Sequence, residues 1–344
     1  MEIINRIISF FLPHKNIKSK QSTSVATKKV VKVKKASRKS LWSAQNRDLY
    51  TQLEDKYYQY FIGVSSLLEE SLNPFEINVI ELLEKTVKQD HSLAKDIPRL
   101  PGVVPKLLHL LRKDDFNWKE ISDLIASDPV VLVEVIKLAN SSAYNLNAKI
   151  EQLEHVLVQL GLLEVRVAIM KVSLKPIMIF EGGHFLKHSG TKIWDHAVNT
   201  AVASRTLAEI YKCDPFEAYL AGLLNYMGMV IVVKKMNAVK DLKEAPRSIQ
   251  FQKKLMRLAK ELSIKIAQNW EMQPDIISAL TEQFESNTKQ IKSTLGDVVY
   301  EATSVSMEYI LANNNLWEKR EETDDEEQDI PYYKAYEELD LMNK

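Results

Sequence analysis

Three helix starts in this chain share one pattern, and that pattern constrains the fold more than any other feature of the sequence. Asn73-Pro74, Asp128-Pro129 and Asp214-Pro215 each place a capping side chain directly before a proline. An Asn or Asp oxygen accepts a hydrogen bond from a free N–H at a helix start, and proline is tolerated in the first helical position because its missing N–H is not needed there. These dipeptides predict helices that begin at residues 74, 129 and 215.

Apolar residues behind these starts recur at helical spacing. After Pro129 they follow a 3.6-residue period through Val130, Leu132, Val133, Val135, Ile136 and Leu138. Helix breakers are scarce, because the chain has only nine glycines and six of them fall between Gly161 and Gly228. We therefore predict an all-α protein.

Charges are segregated along the chain, although the formal net charge is zero. Residues 1–40 contain eleven Lys and Arg against one acid, and residues 318–344 contain eleven Asp and Glu against four bases. We interpret the ends as a basic, disordered arm (1–40) and an acidic, solvated tail (313–344). Between them we predict a helical segment over 41–92 and a helical domain over 95–312. In the helical segment we expect packing, rather than a ligand site, from the aromatic cluster of Tyr57, Tyr58, Tyr60 and Phe61.

The basic arm allows three interpretations, which the sequence leaves open. Its first dozen residues form an amphipathic turn or two that lysines follow, and these weak signals together favour an anionic membrane surface. Its bases also suit nucleic-acid phosphates. In the third interpretation the apolar start of the arm packs on the domain and binds no partner.

The remaining composition favours a cytoplasmic protein. No apolar run reaches the roughly 18 residues of a membrane span, and the longest, 219–233, is interrupted by Asn225. The single cysteine, Cys213, excludes an internal disulfide and fits a reducing compartment. We expect a cytoplasmic protein, with peripheral membrane association through residues 1–40 as an open alternative.

Motifs after residue 95 are more specific. Ser127-Asp128-Pro129 is followed by Leu138-Ala139-Asn140-Ser141, Leu160-Gly161, Trp194-Asp195-His196 and the block Ala221–Gly228. By themselves the first two predict a capped helix and its end, since Asn readily takes the left-handed conformation that terminates helices. In this order and spacing the motifs resemble the HDOD family, the HD-related output domain of bacterial signalling proteins, over residues 95–285.

The resemblance implies a multi-helix, HD-like bundle with a helical extension before it. It also implies a divalent-metal centre in catalytically active HD relatives, built from an early His and a later His-Asp pair. Here His196 falls at the early position, whereas Asn225 and Tyr226 occupy the positions of the pair. The amide oxygen of Asn is a weak metal ligand, and a neutral Tyr, whose pKa is about 10, is also a poor metal ligand. We therefore expect no metal centre, no catalytic residue and no cofactor.

Other catalytic sets are weaker candidates. His184 and His188 are four residues apart, a spacing that suits a metal on a helix, but the glycines around them predict a loop. No histidine follows His196 in the sequence. Cys213 lies near a predicted helix start without a histidine beside it, so it does not predict a nucleophile.

We hypothesise a non-catalytic signalling or adaptor protein, a pseudoenzyme that acts through protein–protein contacts. A partner helix or tail from a bacterial signalling pathway would bind in a groove around His196, Asn225 and Tyr226. Three alternatives stay open: Tyr226 fills the vacated cavity while Asn225 bonds to a neighbouring backbone, the degenerate site senses a nucleotide messenger, or residual phosphohydrolase activity persists. The sequence fixes neither the partner nor the oligomeric state.

Overall fold

The computed structural model describes residues 44–100, 102–111, 116–141, 146, 153–178, 183–239, 246–286, 291–319 and 330–343. These residues form helices and no strands, which confirms the prediction of an all-α protein. The helices, numbered in chain order, are α1 (Ala44–Ile62), α2 (Pro74–Lys88), α3 (Asp90–Asp96), α4 (Val103–Leu111), α5 (Trp118–Ala126), α6 (Pro129–Ala139), α7 (Leu153–Leu160), α8 (Leu162–Met178), α9 (His184–Tyr211), α10 (Pro215–Leu224), α11 (Gly228–Ala238), α12 (Ile249–Asn269), α13 (Pro274–Glu285), α14 (Thr294–Asn313) and α15 (Ile330–Met342).

The predicted helix starts are present with their caps. The side chains of Asn73, Asp128 and Asp214 accept hydrogen bonds from N–H groups in the first turns of α2, α6 and α10. Asn140 ends α6 as predicted, but with φ −92° it lies outside the left-handed region. Gly161, between α7 and α8, takes a positive φ of +80°. Glycine adopts that conformation without steric cost.

Two local predictions are wrong. Residues 184–190, which the flanking glycines marked as a loop, form the first turns of α9. The acidic tail is helical over Ile330–Met342, where Tyr332, Ala335, Tyr336 and Leu339 are buried. These four residues are spaced at i, i+3, i+4 and i+7 and give α15 an apolar stripe that the charge count concealed. The basic arm and residues 320–329 lie outside the described residues.

The chain forms two compact units. The first contains the described residues of 105–169, in which α5 packs against α6 and α7 through a small apolar core. In this unit the Arg166 guanidinium donates a hydrogen bond to the Leu111 carbonyl.

The second unit contains residues 36–104 and 170–344, and α9 is its central element. With 28 residues, α9 is about 40 Å long at about 1.5 Å per residue. Helices α1, α10, α11, α14 and α15 pack against it. Gly228 opens α11 where α12 approaches closely, because a Cβ there would lie 1.9 Å from the Ala259 carbonyl oxygen.

The stretch Pro215–Ala238 is apolar and long enough to cross a membrane by length and composition. However, 94% of its most apolar window is buried inside the protein. This burial is typical of core helices, here α10 and α11.

A buried carboxylate joins the helical extension to the rest of the second unit. Glu76, in the first turn of α2, is fully buried. Its oxygens accept hydrogen bonds from the N–H groups of Asn73, Arg247 and Ser248 and from the Ser248 hydroxyl, at 2.8–3.0 Å. The Ser248 hydroxyl in turn accepts from the Phe251 N–H and caps α12. One carboxylate therefore positions the starts of two helices.

We expect Glu76→Gln to lower the free energy of unfolding by about 3 kcal/mol, because an amide nitrogen would face donors that need an acceptor. Urea denaturation followed by circular dichroism measures the change. Glu81→Gln, at an exposed position of the same helix, should cost less than about 0.5 kcal/mol. Equal effects at both positions would contradict the role of the network.

Candidate functional site

The structure brings His196, Asn225 and Tyr226 together in the second unit. His196 lies on α9, and the other two lie in the turn between α10 and α11. The imidazole and the Tyr226 ring meet edge to face, with centroids 4.1 Å apart. All three residues are buried, with exposed fractions of 0%, 6% and 7%. In this conformation a partner cannot reach the imidazole directly.

His196 is held by a hydroxyl of α14. The Ser306 Oγ lies 2.9 Å from His196 Nδ1 and 3.2 Å from the His196 carbonyl oxygen. Nε2 has no hydrogen-bond partner among the described residues. Burial lowers the pKa of His196 to about 3, so the imidazole is neutral near pH 7.

Asn225 stabilises the turn rather than facing an open site. Its Nδ2 donates to Thr303 Oγ1 at 3.1 Å, and its carbonyl accepts from Ser263 Oγ at 3.1 Å. Ser263 Oγ also accepts from the Gly228 N–H at 2.8 Å. The Asn225 side chain thus bonds to a hydroxyl of α14, whereas the alternative stated from the sequence was a bond to a neighbouring backbone group.

A fourth member of the centre, Tyr57 on α1, was not predicted. Its ring centroid lies 4.5 Å from that of His196 and 5.8 Å from that of Tyr226. The Tyr57 hydroxyl donates to the Lys192 carbonyl at 3.1 Å. Its aromatic neighbourhood predicted packing, and Tyr57, Tyr58 and Phe61 are indeed buried. Nothing in the sequence indicated that the ring packs on His196.

Polar contacts hold the C-terminal end and the middle of α1. Lys192 Nζ donates to the Tyr60 carbonyl at 2.7 Å, and Ser189 Oγ donates to the Phe61 carbonyl at 2.9 Å. Helix C-termini leave such carbonyls without intrahelical partners. Closer to the start of α1, Glu54 pairs with Lys260 at 2.9 Å.

Several buried polar atoms around α1 lack hydrogen-bond partners among the described residues. They are the hydroxyls of Tyr58 and Tyr226, His196 Nε2 and Gln252 Oε1. Each such atom costs about 1–3 kcal/mol relative to a satisfied one. The surface on which α1 packs, called here the seat of α1, is therefore well packed, but several of its polar groups lack hydrogen-bond partners.

The side chains at the centre do not provide the ligands that a divalent metal needs. Asn225 offers only an amide oxygen, which is a weak metal ligand, and burial raises the pKa of Tyr226, so its hydroxyl stays protonated. This leaves one imidazole nitrogen as a ligand. Among the described residues, no group of three or more His, Cys, Asp or Glu side chains is placed to hold a metal.

The other motif residues lie in the first unit and form the ends of α6. Asp128 caps the helix before Pro129, and the Ser127 hydroxyl donates to the Leu124 carbonyl at 2.6 Å. At the other end Leu138 and Ala139 complete the helix, Ala139 is buried, and Asn140-Ser141 leaves it. Together with Gly161, these residues define local architecture.

The burial of His196 predicts a specific pH dependence of stability. An unfolded imidazole titrates at about 6.5, whereas the pKa of His196 in the fold is about 3. Between these values only the unfolded chain binds the proton, so acidification favours unfolding. From pH 7 to pH 5, we expect the unfolding free energy of the wild type to fall by about 2 kcal/mol relative to that of His196→Gln.

Urea titrations of both proteins at each pH give this difference. His109→Gln, which removes an exposed imidazole, is the matched control and should show no comparable trend. A difference for His196→Gln that stays constant with pH would mean that the imidazole is not held neutral by burial.

Known proteins share this architecture. The HDOD domain family model matches residues 97–286, more than half of the chain. An uncharacterized protein of Treponema pallidum is 21% identical over 184 residues, which are 52% of this chain and 34% of that protein. The chain thus spans about a third of the length of this relative.

Solved structures of low sequence identity show the same fold. An HDOD domain protein of unknown function from Geobacter sulfurreducens is 19% identical with a TM-score of 0.50, over 76% of this chain and 88% of that one. A Shewanella amazonensis protein, named provisionally as a metal-dependent phosphohydrolase, is 17% identical with a TM-score of 0.57, over 79% and 100%. A Marinobacter aquaeolei protein, named provisionally for signal transduction, is 16% identical with a TM-score of 0.50, over 79% and 66%. Because the family model matches more than half of its residues, this chain belongs to the HDOD domain family.

Proposed function

We propose that this protein is a non-catalytic component of a bacterial signalling pathway that acts through protein–protein contacts. The observation that carries the proposal is the replacement of a metal centre by the packed side chains of His196, Asn225, Tyr226 and Tyr57. A hydrolytic site needs several ligands, an open coordination position and access for water. This centre offers one imidazole and is closed by α1.

In this proposal α1 occupies the groove that a partner helix would use. The rings of His196 and Tyr226 pack on the Tyr57 side of α1, and unsatisfied polar atoms in this seat lower the cost of exchanging one helix for another. Tyrosine is enriched at interface hot spots because it combines a large ring with a hydroxyl. A partner helix that displaced α1 would find Tyr226 as its anchor.

The geometry gives less support to the two other candidate activities at this centre. A nucleotide has no space among the packed rings while α1 is in place. Residual phosphohydrolase activity would require ligands that Asn225 and Tyr226 do not supply. We retain cytoplasmic localisation, with weak association of the basic arm with anionic membrane or nucleic acid, as part of the proposal.

Metal analysis and turnover test the non-catalytic assignment. Full-length protein purified without chelators should contain far less than one equivalent of manganese, iron or zinc, and should not hydrolyse phosphomonoester or phosphodiester probes above a no-enzyme blank. Stoichiometric metal that disappears in His196→Ala, together with turnover, would establish the phosphohydrolase instead.

Substitutions at the centre test the contact mechanism. Proteins captured from the source organism by the tagged full-length chain would be identified, purified and measured in equilibrium binding. We expect Tyr226→Ala to weaken binding because it removes the anchor, and Tyr57→Ala to strengthen it because it loosens α1. Both changes should lower the free energy of unfolding by about 3 kcal/mol.

Tyr336→Ala, a buried tyrosine of α15, controls for destabilisation alone. The mechanism fails if Tyr226→Ala leaves binding unchanged. It also fails if all three variants change binding in proportion to their loss of stability.

A further inference from the structure

We infer that a cleft beside α1 binds a phosphorylated, nucleotide-sized ligand. The cleft lies within the second unit, between the first half of α1, the first half of α12, the end of α13 and Tyr300 of α14. Its volume is about 520 Å³, within the range of about 300–1,000 Å³ that small-molecule sites occupy. This site is separate from the packed centre, and the inference goes beyond the proposed function.

Basic side chains at this cleft are free to meet an anion. Arg47, Lys253 and Arg257 line it, are exposed and form no ion pair with any residue that the structure describes. Arg257 also lies over the Phe284 ring, 4.6 Å from its centroid, which directs the guanidinium. Three cations at one mouth suit phosphate oxygens, which arginine binds in bidentate fashion.

The acidic side chains of the cleft are largely engaged. Glu54 is paired with Lys260 at 2.9 Å, and Asp55 accepts a hydrogen bond from Gln252 Nε2 at 2.5 Å. Asp48 is exposed, and Asp55 keeps its negative charge because Gln252 is neutral, so two acids remain against the three basic side chains. The electrostatic balance at the mouth therefore favours a negatively charged ligand.

A buried, unsatisfied acceptor indicates a ligand independently of charge. Gln252 is 2% exposed, and its Oε1 has no partner among the described residues. The amide cannot be turned round, because the Asp55 carboxylate accepts only and therefore fixes the position of the Nε2 donor. Gln252 lines the cleft, so a ligand with an N–H or O–H donor, such as a ribose hydroxyl or a base amino group, would satisfy Oε1.

Aromatic side chains supply the apolar part of the site. Tyr50 and Tyr300 stack with centroids 4.2 Å apart, and Phe284 lies on the same cleft. A ligand with phosphate, a hydrogen-bond donor and a flat apolar ring would use all three kinds of group. Because α1 contributes Arg47 and Tyr50 here and Tyr57 at the centre, such a ligand would also hold α1 in place.

Isothermal titration of the full-length chain with ATP, GTP, cyclic AMP and cyclic di-GMP tests the inference. We expect saturable binding of at least one nucleotide, and about tenfold or greater weakening in Lys253→Glu and in Arg257→Glu. Lys254→Glu, at the exposed neighbouring position that does not line the cleft, should bind as the wild type does. Thermal midpoints without nucleotide should be the same in all variants.

Three results would each overturn the inference: no binding by any of the four nucleotides, equal weakening by Lys253→Glu and Lys254→Glu, or binding of inorganic tripolyphosphate as tight as that of the nucleotides. None of them bears on partner binding through Tyr226. The two proposals can therefore fail separately.

Discussion

The contact between the Tyr57 ring and the His196 imidazole is the interaction on which the arrangement of the second unit depends. A histidine inside a protein has to be neutral or paired, because an isolated buried charge is too costly. A metal centre would satisfy the imidazole by coordination. This chain instead surrounds it with two aromatic rings and the Ser306 hydroxyl. The neutrality of His196 is thus a condition for α1 to lie where it does.

This centre is completed by parts of the chain on both sides of the family match. Residues 97–286 match the HDOD domain, whereas Tyr57 precedes them and Thr303 and Ser306 follow them. Two hydroxyls of α14 orient Asn225 and His196, and the ring from α1 closes the space between them. The matched stretch supplies His196, Asn225 and Tyr226, and the flanking helices supply the groups that hold them in place.

The predictable parts of this structure are those that local chemistry determines. Asn73, Asp128 and Asp214 mark helix starts through groups only a few residues apart, so the sequence reveals them. The pairing of Tyr57 with α9 joins residues 135 positions apart, and no local periodicity encodes which buried surface a ring will meet. The helix α15 was missed for another reason: four apolar residues at helical spacing were outnumbered by the acids around them.

The carboxylate of Glu76 determines where the chain can be divided. Glu76 lies before the family match, yet the N–H groups of Arg247 and Ser248 that it accepts from lie inside the match. A fragment that began at residue 97 would leave those N–H groups without their acceptor and would open the rings of His196 and Tyr226 to water. The stretch that the family model matches is therefore shorter than the stretch that the fold requires.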